Sequence, residues 1–282
     1  MTIAVAVAAP DGMVLAADSR STHSDGDHHR IATDTAVKLF AIGDRVGVAT
    51  FGRAFIDDRT IAGVMDEFVA SLENPKDLGV GKVSRFKAAI TQPENFEVTH
   101  IAERLGNFFD QRMQDAVDVF DDDKLELGFL VAGYDADGVG RVIELQLPNA
   151  TTFERATTVT RGSVRRGLTD AADRLLWGVD WELLSELGVD FPEETKIVLR
   201  QLEYAVLHPL SMQDAIDFAT FVVRTTIDMQ RFSDGTAAAP KGVPGCGGHV
   251  RVLAVNRQQT NWIHDPALTV VARAGLAEGT YS

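Results

Sequence analysis

Residues Thr2-Ile3-Ala4-Val5-Ala6-Val7-Ala8-Ala9-Pro10-Asp11-Gly12-Met13-Val14-Leu15-Ala16-Ala17-Asp18-Ser19-Arg20 read as two apolar runs around a turn. Thr2 to Ala9 is alanine-rich and β-branched, Pro10-Asp11-Gly12 is a strong turn signal, and Met13 to Ala17 is a second short run. That pattern predicts a β-hairpin whose far end delivers Asp18. A second hairpin is expected from Val37 to Ile42, through Gly43-Asp44, and back along Val46 to Thr50. It ends in Phe51-Gly52-Arg53-Ala54. A third runs from Leu127 to Gly133, turns at Asp135-Ala136-Asp137-Gly138 and returns through Val142 to Leu147.

Between the hairpins the apolar period changes. Ile61, Val64, Met65, Phe68 and Leu72 form a helical stripe over Ala54 to Leu72, and Ile101, Leu105, Phe108, Phe109 and Met113 form another. Further helices are expected near Leu168–Trp177, Glu193–Val206 and Ser211–Phe232. The Gly/Pro-rich loop from Gly235 to Gly248 leads into a strand at His249–Val255, with another at Leu268–Ala272. The polar stretch from Thr22 to Ala32 reads as an exposed loop. Its His23, His28 and His29, beside Asp25 and Asp27, lack metal-defining spacing on a regular element, so no metal is expected. Pro75, Gly79, Gly81 and Pro93 mark a loop-rich insertion at about 73–98. No linker divides the chain, so 1–282 reads as a single domain. Hairpins with helices in blocks predict an α+β layered sandwich, not a doubly wound parallel sheet.

Composition narrows the function classes. The chain has 282 residues, 45% of them apolar and 24% charged, which suits a globular protein with a sizeable core. A net charge of −14 disfavours nucleic acid and anionic membrane as partners. The single cysteine, Cys246, precludes an intramolecular disulfide and points to an intracellular protein. Flanked by glycines, it reads as a small buried residue in a tight turn. The apolar start lacks a basic n-region and is broken at Pro10, so it does not read as a signal peptide. No apolar run approaches the ~20 residues needed to span a bilayer. A soluble, cytoplasmic protein is expected.

Thr2 stands directly behind Met1, and aminopeptidases remove methionine before a side chain that small. The new start would carry a hydroxyl and a free α-amine on one residue. That amine has a pKa of roughly 7.7–8.0, so it can take the hydroxyl proton near neutral pH.

Thr2, the first hairpin, Ala17-Asp18-Ser19-Arg20, Lys38 opening the second hairpin and Gly52 closing it together resemble the N-terminal third of a proteasome β-type subunit. The bacterial relatives HslV and Anbu share this arrangement. The resemblance covers residues 2–70 best, then the hairpin at 127–147 and the helix at 211–232. It implies a four-layer αββα sandwich of the N-terminal-nucleophile hydrolase class and peptide-bond hydrolysis through an acyl-enzyme on Thr2. Lys38 would lower the pKa of the Thr2 amine and hydroxyl, Asp18 would hold Lys38 charged, and the Gly52 N–H would bind the oxyanion. Ser163 is the nearest match to a serine supporting the amine, and Ser233 to a serine ending the last long helix. Gln230 stands where the family pattern puts an aspartate. Ser21, Ala36, Thr50, Ala54 and Asp58 match the specificity pocket, and Asp58, four residues beyond Ala54 on one helix face, would favour a basic P1 side chain. The resemblance further implies no metal or organic cofactor, and self-assembly into a homo-oligomeric ring or stack. Peptides or unfolded proteins would be the substrates, with an ATPase unfoldase as a possible partner. Two alternatives stay open: a catalytically silent scaffold subunit that retains Met1, and an amidase acting on a small molecule.

Overall fold

The computed structural model describes residues 2–25, 28–73, 97–116, 127–204, 210–234 and 242–264. The insertion expected at about 73–98 lies outside them except at its ends, and so does the strand expected at Leu268–Ala272. Two five-stranded sheets organise these residues, and every pairing in them is antiparallel. The protein is a mixed α and β fold built on antiparallel sheets.

The first hairpin is β1 (Ile3–Ala9) and β2 (Gly12–Ala17), with Ala4 opposite Ala17 and Ala9 opposite Gly12. Both strands are buried along their whole length, which is why they read as continuous apolar runs. Strand alternation divides the load between two cores. Ala4, Ala6 and Ala8 pack against Leu130 and Ala132 of the other sheet, while Ile3, Val5, Val7 and Ala9 face a helical cluster with Ala219, Val222 and Val223. Each fully buried aliphatic side chain is worth about 1.5–3 kcal/mol over its exposed state.

Chain order continues with β3 (Ser21–Asp25), β4 (His28–Thr33), β5 (Leu39–Ile42), β6 (Val46–Gly52), β7 (Phe55–Ile56) and β8 (Arg59–Thr60). Helices α1 (Ile61–Glu73) and α2 (Val98–Asp115) follow, then β9 (Leu127–Tyr134), β10 (Gly140–Leu147), β11 (Thr151–Thr157) and β12 (Gly162–Gly167). The last part holds α3 (Asp170–Trp177), α4 (Trp181–Glu186), α5 (Glu193–Leu199), α6 (Met212–Phe232), β13 (Arg251–Val255) and β14 (Thr260–His264). One sheet runs β12-β1-β2-β13-β14 and the other β11-β10-β9-β6-β5. Leu15 and Leu253 of the first meet Leu39 and Ala49 of the second, and a Cβ at Gly47 would lie 2.8 Å from Leu15 Cδ1. The outer face of the second sheet packs on α1 and α2, with the Phe109 and Phe129 rings 4.8 Å apart. Helix α6 covers the first sheet and starts in a reciprocal cap, in which Ser211 Oγ accepts from the Asp214 N–H and the Asp214 carboxylate from the Ser211 N–H. Among the described residues no helix is long and apolar enough to cross a membrane.

Three expectations need correcting. The stretch from Thr22 to Ala32 is no loop: β3 and β4 pair there, with Thr22 opposite Ile31 and His23 opposite Arg30. Polar residues on both strands hid the period-two signal. The helix expected from Ala54 begins only at Ile61, because Phe55–Thr60 forms a small two-stranded ribbon turned at Asp57, whose φ is +53°. Thr60 Oγ1 accepts from the Gly63 N–H at 3.1 Å and so starts the helix. Strands β11 and β12 were not foreseen, since Glu154, Arg155, Arg165 and Arg166 break their apolar pattern.

Those charges meet at Glu144, a fully buried carboxylate on β10. Its oxygens accept from Arg155 Nε and Arg166 Nε, each at 2.7 Å, and from Gln146 Nε2 at 2.6 Å, which ties β12 of one sheet to β10 and β11 of the other. Burial alone would raise the Glu144 pKa, but the hydrogen bonds from Arg166, Arg155 and Gln146 outweigh it and the net shift is downward. A depressed folded-state pKa contributes stability above the unfolded value, about 4.3, and that contribution is lost as pH falls through the folded value. Glu144→Gln is therefore expected to lower stability at pH 7 by roughly 3 kcal/mol and to flatten the loss below about pH 4.3. Urea titrations of both proteins across pH 3–7 measure this. Parallel pH curves would remove Glu144 as the inter-sheet tie.

Candidate active site

The hairpin register sets the site. With Ala4 opposite Ala17, Asp18 falls beside Ile3: the Asp18 N–H donates to the Ile3 carbonyl at 3.3 Å, and the Ile3 N–H donates back to Asp18 Oδ1 at 3.2 Å. Asp18 is fully buried and accepts three further hydrogen bonds. Lys38 Nζ donates to Oδ1 at 2.7 Å, and the backbone N–H groups of Arg20 and Gly247 donate to Oδ2 at 3.1 and 3.0 Å. A carboxylate so surrounded keeps its charge away from water, and the Lys38 ammonium is its ionic partner.

Lys38 is itself buried and immediately precedes β5. Its carbonyl accepts from the Thr50 N–H at 2.9 Å, which puts the lysine alongside β6. Thr2, Lys38, Thr50 and Gly52 line one cavity of about 300 Å³. Gly52 closes β6 opposite Leu127 with φ +89°, a left-handed value that glycine adopts without strain. Ser21, Ala36 and Ala54 line the same cavity.

The Thr2 carbonyl accepts from the Leu168 N–H at 2.7 Å, just past the end of β12. A Cβ on Gly167 would stand 1.8 Å from the Thr2 oxygen, and Gly167 has φ +91°. Between them, Asp18 grips the peptide after Thr2 and the Gly167–Leu168 corner grips its carbonyl. Arg165 Nε and Thr169 Oγ1 both bond the Asp173 carboxylate, at 2.6 and 2.7 Å, which pins the start of α3 to β12 and holds that corner. Sequence reasoning missed the corner, although a glycine just before a helix was its available signal.

Two expected site residues are elsewhere. Ser163 pairs with Val7, five strand positions from Thr2, about 16 Å along β1. It does not support the Thr2 amine; matching by neighbourhood in sequence ignored the antiparallel direction of β12. Asp58 is exposed in the turn between β7 and β8 and does not line the cavity, so the helix-face argument that aimed it there does not hold. Ser233 caps α6, its N–H donating to the Met229 carbonyl at 3.0 Å.

The loop after residue 242 completes the site from the far end of the chain. Gln230 Oε1 accepts from the Gly245 N–H at 3.2 Å, so the amide at this position anchors the loop that reaches Asp18 through Gly247. The His249 N–H donates to Ser19 Oγ at 2.7 Å, and Ser19 Oγ donates to the Asp34 carbonyl at 2.6 Å. Cys246 is buried in this loop, as its glycine flanks suggested. Burial first, then the Asp18 carboxylate, push its thiol pKa well up against the opposing pull of Lys38, so the sulfur stays a neutral thiol and is no nucleophile. Asp170, at the start of α3, has a buried Oδ1 with no hydrogen-bond partner among the described residues.

This arrangement can prime a hydroxyl. A buried ammonium shares a cavity with a threonine whose backbone is fixed on both sides, and an open volume adjoins it for a substrate. No family model and no curated protein matches the chain.

Proposed function

We propose that the chain is an N-terminal threonine hydrolase of the proteasome β type, with the four-layer αββα sandwich of that class. Two face-to-face antiparallel sheets with helices on both outer faces support the fold reading. The observation that carries the function is the buried Lys38–Asp18 pair in contact with the Thr2 cavity.

After Met1 is removed, Thr2 Oγ attacks a peptide carbonyl carbon and passes its proton to its own α-amine. The Gly52 N–H stabilises the oxyanion. Collapse breaks the C–N bond, the α-ammonium returns the proton to the leaving amine, and an ester remains on Thr2. Water then attacks the ester, again losing a proton to the amine, and releases a carboxylic acid and free Thr2. Lys38 keeps the amine basic form accessible at neutral pH by its positive charge, and Asp18 acts as a positioning residue for Lys38. A peptide or unfolded chain is the substrate. A homo-oligomeric ring or stack, served by an ATPase unfoldase, is the assembly this reading carries with it.

The test is intact mass before and after an epoxyketone, which reacts with both the hydroxyl and the free amine of an N-terminal threonine. The expected result is a chain lacking Met1 that gains one adduct on Thr2, with no adduct on Thr2→Ala. A chain that keeps Met1 and stays unlabelled is a silent scaffold. A labelled chain that cleaves no member of a peptide library but hydrolyses small amides is the small-molecule amidase.

A further inference from the structure

The cavity beside Thr2 carries a charge pattern opposite to that of the whole protein. The chain has a net charge of −14, yet the cavity wall includes Arg20, Lys38 and Arg53, and no carboxylate lines it among the described residues. The rest of the wall is mostly apolar, with Ala36, Phe55 and Ile61 contributing. Two of the three cations are occupied from behind. Lys38 is held by Asp18, and Arg20 donates through Nε and Nη2 to the two oxygens of Asp34 at 2.6 and 2.9 Å. Arg53 directly follows Gly52, so it stands where the chain leaves β6 for the cavity rim.

A basic substrate side chain entering here would bury a charge beside like charges with no carboxylate to meet it, which is costly. A carboxylate on a short apolar stem would meet the opposite situation. Its methylenes would lie on the apolar wall and its oxygens would face a guanidinium fork, a strong and directional pairing. The protein's overall negative charge does not cancel this, since at physiological ionic strength fields are screened over about 8 Å.

We infer that the cavity selects substrates with an acidic side chain at the residue that precedes the scissile bond, and that Arg53 is the specificity-determining residue. This rests on the reading of Thr2 as the nucleophile only for its kinetic consequence; the binding preference belongs to the cavity itself. The experiment therefore has two arms. In the first, N-acetyl tripeptide amides ending in Glu, Gln, Leu or Arg are titrated against the Thr2→Ala protein by calorimetry. The Glu-ended peptide is expected to bind roughly ten- to a hundredfold more tightly than its Gln isostere. The Arg-ended peptide is expected to bind most weakly. That Glu-over-Gln ratio should collapse in Thr2→Ala/Arg53→Gln, be partly kept by Arg53→Lys, and invert toward the Arg-ended peptide in Arg53→Glu. In the second arm, the wild-type protein cleaves fluorogenic peptides with the same four residues, and kcat/KM should follow the same order. Binding in the expected order without any cleavage sustains the inference and removes the hydrolase reading. Cleavage or binding of Arg-ended peptides as good as that of Glu-ended ones, or a ratio untouched by Arg53→Gln, overturns the inference and leaves the hydrolase reading standing.

Discussion

Lys38→Met is expected to lower kcat/KM for peptide cleavage by roughly 10²–10⁴-fold, the range for losing control of one proton transfer. The same change should destabilise the protein by about 3–5 kcal/mol, because it leaves the Asp18 carboxylate buried without its cation. The two effects separate in the double variant Asp18→Asn/Lys38→Met. Removing both charges takes away the buried, uncompensated carboxylate, so most of the lost stability should return. The amide at residue 18 can still accept from the Ile3 N–H with its oxygen. Activity should stay lost, since no cation remains beside Thr2. Urea unfolding and kcat/KM on the same preparations give the full double-mutant cycle. A Lys38→Met protein that turns over peptides at more than a tenth of the wild-type rate would end the proposed chemistry.

The second large effect is at Gly167. An alanine there would set its Cβ 1.8 Å from the Thr2 carbonyl oxygen, on a backbone with φ +91°. The conformational strain alone costs of order 1–3 kcal/mol. The clash adds to it by forcing the Thr2 carbonyl away and breaking its bond from the Leu168 N–H. Gly188→Ala is the matched control: its φ is +69°, and nothing lies within 4 Å of the added carbon. Gly167→Ala should therefore cost clearly more than Gly188→Ala in thermal or urea unfolding. It should also reduce cleavage by about 10²-fold or more, the penalty for shifting a reacting group by about 1 Å, while Gly188→Ala leaves cleavage intact. Equal losses of stability in the two variants would show that the Thr2 carbonyl is not clamped at this corner.

Much of this architecture is legible in the linear chain because the signals are local. The β1–β2 hairpin announces itself through two apolar runs and Pro10-Asp11-Gly12. Helix α6 does so through a serine cap and a periodic apolar face. Other elements are hidden for equally local reasons. Strands β11 and β12 carry arginines and a glutamate whose burial depends on partners in other strands, so their sequence looks solvent-facing. The ribbon at Phe55–Thr60 is too short to show a period, and without it the helix seems to start early and to carry Asp58 into the pocket. Ser163 failed for a different reason: proximity in sequence to Gly167 places it on the right strand but far from the right end.

Residue order alone determined which groups could cooperate at the N-terminus. Hairpin geometry puts Asp18 next to Ile3 whatever the rest of the chain does, because register follows from the turn and from two runs of matched length. Only the tertiary structure decided what encloses them. Gly247 reaches Asp18 across 229 residues, Leu168 meets Thr2 across the edge of a sheet, and a cation-lined, carboxylate-free cavity arises where β6 ends. Contacts of that kind depend on how the sheets and helices stack, and nothing in the periodicity of a single segment encodes the position of its neighbour in space.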